Sequence, residues 1–304
     1  MTMNPILRKM GFSENDKVLI VHADDVGITQ SSVDAFLELL DFGTISCGST
    51  MVPCPWFPEV ARKFRESPEL DLGLHLTLNC EYETYRWRPI STTSQESGMI
   101  DENGYFKQDK LEVMETADPK SIEQEIEAQL KVALNLGVKP THVDSHSGTL
   151  WSAKFMDSYI NFYKNHQVLP VVFNPSDNKD PIMQSVMNTF NVSSEKVNDF
   201  AATGLPVVDS ISGLPVEHTY DLNDRLDLAK LILDGVQPGM LTHFAFHPMK
   251  DTPESRGLLR YSDGRIGDYE VFMQKKLKNH LKDSGIQLIG YKDIIKYIDV
   301  HSLV

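Results

Sequence analysis

Four short polar clusters hold the side chains that could do chemistry, and each ends a predicted strand. The first, His22-Ala23-Asp24-Asp25-Val26-Gly27, sets two adjacent carboxylates behind Lys17-Val18-Leu19-Ile20-Val21. Two buried carboxylates are costly unless they pair, accept hydrogen bonds or hold a metal. The plainer alternative is that one of them caps the following helix. The second cluster, Gly73-Leu74-His75-Leu76, has a single histidine in an apolar stretch, which on its own favours a hydrogen-bonded core residue over a ligand. The third is His142-Val143-Asp144-Ser145-His146. Its three polar residues alternate at i, i+2 and i+4, so a strand points them to one face, where one can support the others from behind. In the fourth, His243-Phe244-Ala245-Phe246-His247-Pro248, the histidines again share a face and Pro248 ends the strand. Together the clusters put Asp and His at the ends of separate strands. Two histidines and one carboxylate with open positions describe a divalent-metal hydrolytic site, with donors that suit zinc, manganese or iron and do not exclude magnesium. No Walker loop, G-x-G-x-x-G or G-x-S-x-G occurs, so nucleotide and serine-hydrolase readings lack support.

The elements that must position these residues alternate. Lys17–Ala23 reads as a buried strand, rich in β-branched residues. Val33, Phe36, Leu37 and Leu40 make one helical face that Gly43 can end. A strand over 45–52, a helix over 56–65 and a strand over 72–78 follow. Residues 80–120 break the rhythm, being polar and aromatic with Tyr82, Tyr85, Trp87, Tyr105 and Phe106. A connection of that length is functional or has its own small structure; its aromatics either stack on a ligand or pack beneath the loop. Ser121-x-x-Gln124 reads as a capping box for a helix whose face is Ile122, Ile126, Leu130 and Ala133 or Leu134, with Glu127 and Lys131 as an i, i+4 pair and Gly137 at its end. A strand over 141–146 follows. The alternation continues with a helix near 153–165, a strand near 168–173, helices near 182–202 and 222–234, and a strand over 240–247. It closes with a helix over 269–281, a strand over 286–289 and a last helix over 291–298. This predicts a parallel α/β fold. With no linker, one closed or nearly closed barrel is favoured over two domains, an open doubly wound sheet being the alternative. The carboxyl ends of such strands converge on one face, where ligands bind.

Composition narrows the classes of function. In 304 residues, 29 Lys and Arg against 43 Asp and Glu leave a net charge of −14, with no basic run. That surface disfavours nucleic acid. Cys47, Cys54 and Cys80 form no CxxC pair. They read as small core residues in a reducing compartment, not as a disulfide framework or zinc knuckle. No apolar stretch is long enough to span a membrane and the N-terminus has no leader-like segment, so a cytoplasmic protein without a membrane partner is expected. Self-association into a homo-oligomer is left open.

Side by side, these residues resemble the motifs of the YdjC-like carbohydrate deacetylases. His22-Ala-Asp24-Asp25-Val-Gly27 resembles the opening A-D-D-[FVL]-G motif, Gly73-Leu-His75 the second, G-L-H, and Thr141-His142-Val-Asp144-Ser145-His146 the third, T-H-x-D-S-H. His247-Pro248 resembles the late H-P motif, and Arg265-Ile-Gly-Asp268 the C-terminal R-x-x-[DE] region. The resemblance runs in family order from about residue 18 to 298. It implies a single domain over 1–304, a distorted, TIM-like (β/α) barrel with a long loop insertion at about 80–120. It also implies metal-dependent removal of N-acetyl groups from an amino sugar or small N-acetylated oligosaccharide. Asp25, His75 and His146 would then hold one divalent ion (Zn, Mg or Mn), Asp24 would be the general base, and His247 would act on the departing amine or support the site. One departure stands out: where many members continue as H-x-H, this chain reads His146-Ser147-Gly148.

On this reading Asp144 orients a histidine. Arg265 orients Asp24 or meets substrate oxygens, unless it forms a surface bridge with Asp268 or Glu270. Trp87, with Tyr82 and Tyr85, would stack on a sugar face. The nearest rival is another metal-dependent barrel hydrolase acting on a phosphoester or a different amide. The motifs are poor in the cations a phosphate needs, which favours a neutral substrate. A non-catalytic carbohydrate-binding or regulatory protein on the same scaffold is the rival from another class, and the retained Asp24 argues against it.

Overall fold

A computed structural model describes residues 3–174, 181–217, 221–258 and 260–298. The strands are β1 (Lys17–Val26), β2 (Cys47–Thr50), β3 (Leu72–Leu76), β4 (His142–Ser145), β5 (Leu169–Pro170), β6 (Ser210–Gly213), β7 (Leu241–Phe246) and β8 (Ile286–Leu288). All pairings between them are parallel. The order is β5-β4-β3-β2-β1-β7-β6, and β8 pairs with the first residues of β1. Beyond β5, Phe173 forms a single parallel bridge with Val208, just before β6. Val208 N–H donates to Val172 O and Asn174 N–H to Val208 O, both at 2.8 Å. The sheet therefore curls until its two ends touch, giving the distorted (β/α) barrel expected from the alternation.

The strands form where they do because both of their faces are covered. Val18 to Ala23 are buried, as are all residues of β2, β3 and β4; β1 and β3 read as near-continuous apolar runs, whereas β2 and β4 bury small or polar side chains. β6, Ser210-Ile-Ser-Gly, was not expected; it is half-buried and has little apolar signal. The helix Gln30–Phe42 starts at the cap Thr29 and ends at Gly43, whose φ of 79° lets its N–H close back on Leu39 O. The expected Ser121/Gln124 capping box is corrected. The helix spans Pro119–Asn135, and its cap is Asp118, which accepts from Ser121 N–H at 2.9 Å. Pro119 presets the first helical φ. Glu127 pairs with His166 Nε2 at 2.6 Å, not with Lys131. The helix expected over 269–281 is two, Ser262–Phe272 and Lys275–Asp283. Phe272 and Leu277 are both buried, and a spacing of five residues does not keep them on one continuous helical face.

One core runs from Met3 to Ile298 and includes all three cysteines, which are free. Among the described residues no helix is long and apolar enough to cross a membrane. Between β3 and the helix Lys110–Thr116 the chain has only a 3-10 turn, Gln95–Ser97, and one antiparallel bridge, Ile100 with Phe106. Its aromatics pack beneath it, with Trp87, Tyr82 and Phe106 at 3%, 5% and 0% exposure. Buried Glu125 anchors the excursion by accepting from Ile90 N–H at 3.0 Å, Ser91 N–H at 2.8 Å and Gln129 Nε2 at 2.9 Å. An orphaned buried donor costs about 1–3 kcal/mol. Glu125→Ala removes the acceptor of all three bonds, but Ile90 and Ser91 are exposed and Gln129 Nε2 keeps its bond to Thr77 O, so unfolding stability is expected to fall by about 1 kcal/mol. A denaturant midpoint equal to that of the wild type would contradict this anchoring.

Candidate active site

The register of β1 against β2 slips between Ala23 and Val26, and Asp25 sits at φ 59°. In a regular strand adjacent residues point to opposite faces. A bulge with one residue in the left-handed region breaks that rule and lets Asp24 and Asp25 serve one site. For a non-glycine residue this conformation is costly and marks functional positions.

Asp25 is 1% exposed. Its Oδ1 lies 3.2 Å from His75 Nε2 and 3.1 Å from His146 Nδ1, and its Oδ2 lies 2.7 Å from Arg265 Nη1. The other nitrogen of each imidazole is held from behind. His75 Nδ1 lies 2.9 Å from Asp144 Oδ1, and Ser49 Oγ donates to Asp144 Oδ2 at 3.0 Å. His146 Nε2 lies 3.0 Å from Glu81 Oε2. Burial pushes the Asp25 carboxyl up, but Arg265 and His146 outweigh it and hold it well below the usual range. Burial alone would depress both imidazoles. Instead Asp144 and Asp25 lift His75 well above its ordinary value, and Glu81 and Asp25 push His146 up to about 9. The cluster is short of positive charge, which either protons or a divalent cation can supply.

Asp25, His75 and His146 meet the requirements of a cation site in donor chemistry, mutual distance and support of each histidine by a carboxylate. Two overlapping triplets, His22-Asp24-His243 and Asp24-His75-Asp144, also bring donors together. In both, the shortest approach is already a hydrogen bond, 2.6 Å from His22 to Asp24 and 2.9 Å from His75 to Asp144.

Asp24 stands beside this cluster. Its Oδ1 is held by His22 Nδ1, and its Oδ2 lies 3.9 Å from His247 Nε2. The His247 backbone N–H donates to Asp268 Oδ2 at 3.0 Å, and Asp268 Oδ1 accepts from Arg225 Nη2 at 2.6 Å, a buried pair that fixes the turn after β7. Burial lowers the His247 pKa despite the nearby carboxylates, which favours the neutral ring.

Two further expectations change. Arg265 neither orients Asp24 nor bridges to Asp268 at the surface; it is buried, with Nη1 on Asp25 and Nη2 donating to Tyr82 Oη at 3.2 Å. Trp87 is not placed to stack on a sugar. It is buried behind His146, ring centres 6.4 Å apart, and its Nε1 donates to Asn79 O at 3.0 Å.

The cavity over these groups is about 440 Å³, and its walls include residues the sequence did not single out: Glu81, Lys110, Trp151, Phe190 and Arg260. The motifs alone therefore understated its cations. Gly148 occupies the second position of the H-x-H pattern, at φ 74°, and a Cβ there would lie 2.8 Å from Phe190 and 2.9 Å from Trp151. An aromatic wall fills the space where a second histidine side chain would start. Glu81 lies five residues beyond β3, and an acidic residue just past a strand bearing a histidine was the one signal that could have found it. Since outer-shell partners of metal ligands are worth about 10- to 100-fold in affinity or activity, Glu81→Ala is expected to weaken metal binding by that factor. Calorimetric titration with zinc giving the wild-type affinity would remove Glu81 from this role.

Residues 18–283 match the family model described as YdjC-like protein. A carbohydrate deacetylase of Thermus thermophilus is 30% identical, the alignment covering 91% of this chain and 94% of the relative. One from Thermoanaerobacter pseudethanolicus is 28% identical over 90% of this chain and 98% of its own. Among solved structures, an Enterococcus faecalis protein assigned provisionally to cellobiose-phosphate cleavage superposes with a TM-score of 0.70, covering 92% of this chain and 99% of that one. At 20% identity it supports the fold alone.

Proposed function

The chain belongs to the YdjC-like protein family, and from that premise we propose that it is a metal-dependent carbohydrate deacetylase, removing N-acetyl groups from an amino sugar or small N-acetylated oligosaccharide. The carrying observation is the split partnership of the two adjacent carboxylates. Asp25 faces two imidazoles, and Asp24 faces His247 across the cavity. On this reading Asp25, His75 and His146 hold one divalent ion, zinc, magnesium or manganese. When bound, it supplies Lewis acidity toward the amide carbonyl and the attacking water.

The protein's own groups do the rest. Arg265 occupies Asp25 Oδ2 and leaves Oδ1 turned to the histidines. Asp24 takes the proton from the attacking water as general base. The departing nitrogen needs one proton to leave as an amine, and the water has just released one. A neutral His247 next to Asp24 Oδ2 is suited to passing that proton on, receiving it on the Asp24 side and delivering it to nitrogen. Trp151 and Phe190, not Trp87, offer the aromatic surface a sugar ring can lie against.

The relatives named carbohydrate deacetylase support this reading over a phosphoester hydrolase with the same donor set. It makes residues 1–304 one functional unit, in which the excursion at about 80–120 contributes Glu81 and Tyr82. The test is a panel of N-acetylated mono- and disaccharides, neutral and anionic because Lys110 and Arg260 line the cavity, assayed for acetate. Acetate from at least one sugar is expected. Phosphate released from phosphoesters with no acetate from any sugar would overturn the assignment, and turnover of neither would favour a binding protein.

A further inference from the structure

Three buried histidines have no part in the reaction as assigned. His22, His142 and His243 lie inside the barrel, none more than 4% exposed. Two of them form a line that starts at Asp24. His22 Nδ1 is 2.6 Å from Asp24 Oδ1, and His22 Nε2 is 2.8 Å from His142 Nε2. His142 Nδ1 is 2.9 Å from Thr141 Oγ1, and that hydroxyl is 2.5 Å from Asp71 Oδ1. Asp71 Oδ2 accepts from the Lys292 backbone N–H at 2.7 Å. The line begins near the carboxyl end of β1 and finishes one residue before β3, so it crosses the barrel interior toward the opposite end of the sheet.

Two glycines clear its path. A Cβ on Gly73 would lie 2.5 Å from His142 Nε2, and one on Gly290 would lie 2.1 Å from Asp71 Oδ2. Neither glycine has a positive φ; each supplies room for a rigid polar group. The third histidine walls the line: His243 Nδ1 meets Tyr291 Oη at 2.8 Å, its ring lies 4.8 Å from that of His22, and the Tyr291 ring lies 4.1 Å from that of His142.

We propose that Asp71, Thr141, His142 and His22 form a buried hydrogen-bond relay that holds Asp24 from behind and shares one mobile proton between Asp71 and His22. The inference rests on the assignment of Asp24 as the base. An Asp24 carboxylate can only accept, so His22 Nδ1 carries a proton. The contact between the two Nε2 atoms needs one donor. With that proton on His142, its Nδ1 accepts from Thr141, whose oxygen in turn accepts from a protonated Asp71. Three short transfers convert this form into the other: Asp71 to Thr141, Thr141 to His142 Nδ1, and His142 Nε2 to His22 Nε2. Asp71 is then a carboxylate and His22 an imidazolium against Asp24. Both forms hold the same protons and the same total charge, and every link is a hydrogen bond in each. Burial pushes the Asp71 carboxyl up and holds the His142 ring well below its ordinary value, which favours the form with the proton on Asp71. In either form Asp24 Oδ1 is engaged and Oδ2 is left for the cavity.

His142→Phe keeps a ring in the space beside Gly73 and removes both hydrogen bonds. It is expected to lower kcat by about 10- to 100-fold, the range of such supporting contacts, with KM and bound metal unchanged. His142→Gln can return one amide N–H toward His22 and should recover part of kcat. Wild-type kcat in His142→Phe, with Asp24→Asn inactive, overturns the relay; wild-type turnover in Asp24→Asn overturns the base assignment instead. Wild-type protein labelled with 15N in its histidines gives a test that needs no variant. A low-field proton coupled to the Nε2 of both His22 and His142 is expected. Two imidazoles that exchange and ionise independently would overturn the relay.

Discussion

Asp25→Ala is expected to strip the protein of its metal and its turnover together. Among the described residues Asp25 is the one carboxylate facing both His75 and His146, and the two imidazoles alone cannot make a three-point cage. Loss of even a supporting contact costs about 10- to 100-fold, so loss of the ligand itself should exceed about 100-fold in both affinity and turnover. The substitution also leaves Arg265, 5% exposed, without its partner, and an uncompensated buried charge costs about 3–5 kcal/mol. Misfolding could imitate the result. Asp25→Asn keeps the volume and an acceptor for Arg265, and is expected to show the same loss of metal in a chain that unfolds at close to the wild-type midpoint. Stoichiometric metal in desalted Asp25→Asn would exclude Asp25 as a ligand.

Asp24→Asn should separate chemistry from binding. The amide oxygen can still accept from His22 Nδ1, so the side chain keeps its place, but it no longer takes a proton. Metal content is expected to stay at the wild-type level, with turnover down by about 10²- to 10⁴-fold, the usual weight of general acid–base catalysis. Turnover near wild type removes the base role. Loss of metal instead moves Asp24 into the cage, where the overlapping triplets also allow it.

Legibility from sequence followed burial. β1, β3 and β7 are covered on both faces and read directly as apolar runs, while β4, His142-Val-Asp-Ser, shows through the alternation of its polar residues, so the clusters at these strand ends are legible. The half-buried Ser210–Gly213 strand left no such trace. The barrel's closure rests on one bridge, Phe173 to Val208, which no local pattern encodes. Within the site, His75 and His146 were visible as histidines at strand ends. The joint use of Asp24 and Asp25 was not, because strict alternation would send them to opposite faces and only the bulge at Asp25 reconciles them. Glu81, Lys110 and Arg260 come from segments whose position depends on tertiary packing. Arg265 was noticed but given the wrong partner: which carboxylate it meets depends on how the helix Ser262–Phe272 is turned toward the sheet. Trp87 shows the limit of residue type as a guide, since an aromatic in a polar loop can floor the loop as readily as line a cavity.

The most direct measurement is acetate release by chelator-treated enzyme as a single divalent metal is titrated back. The account predicts no turnover without metal, a linear rise on addition, and a plateau at about one equivalent per chain, with Asp25→Asn flat throughout. Full acetate release from metal-free protein would contradict it.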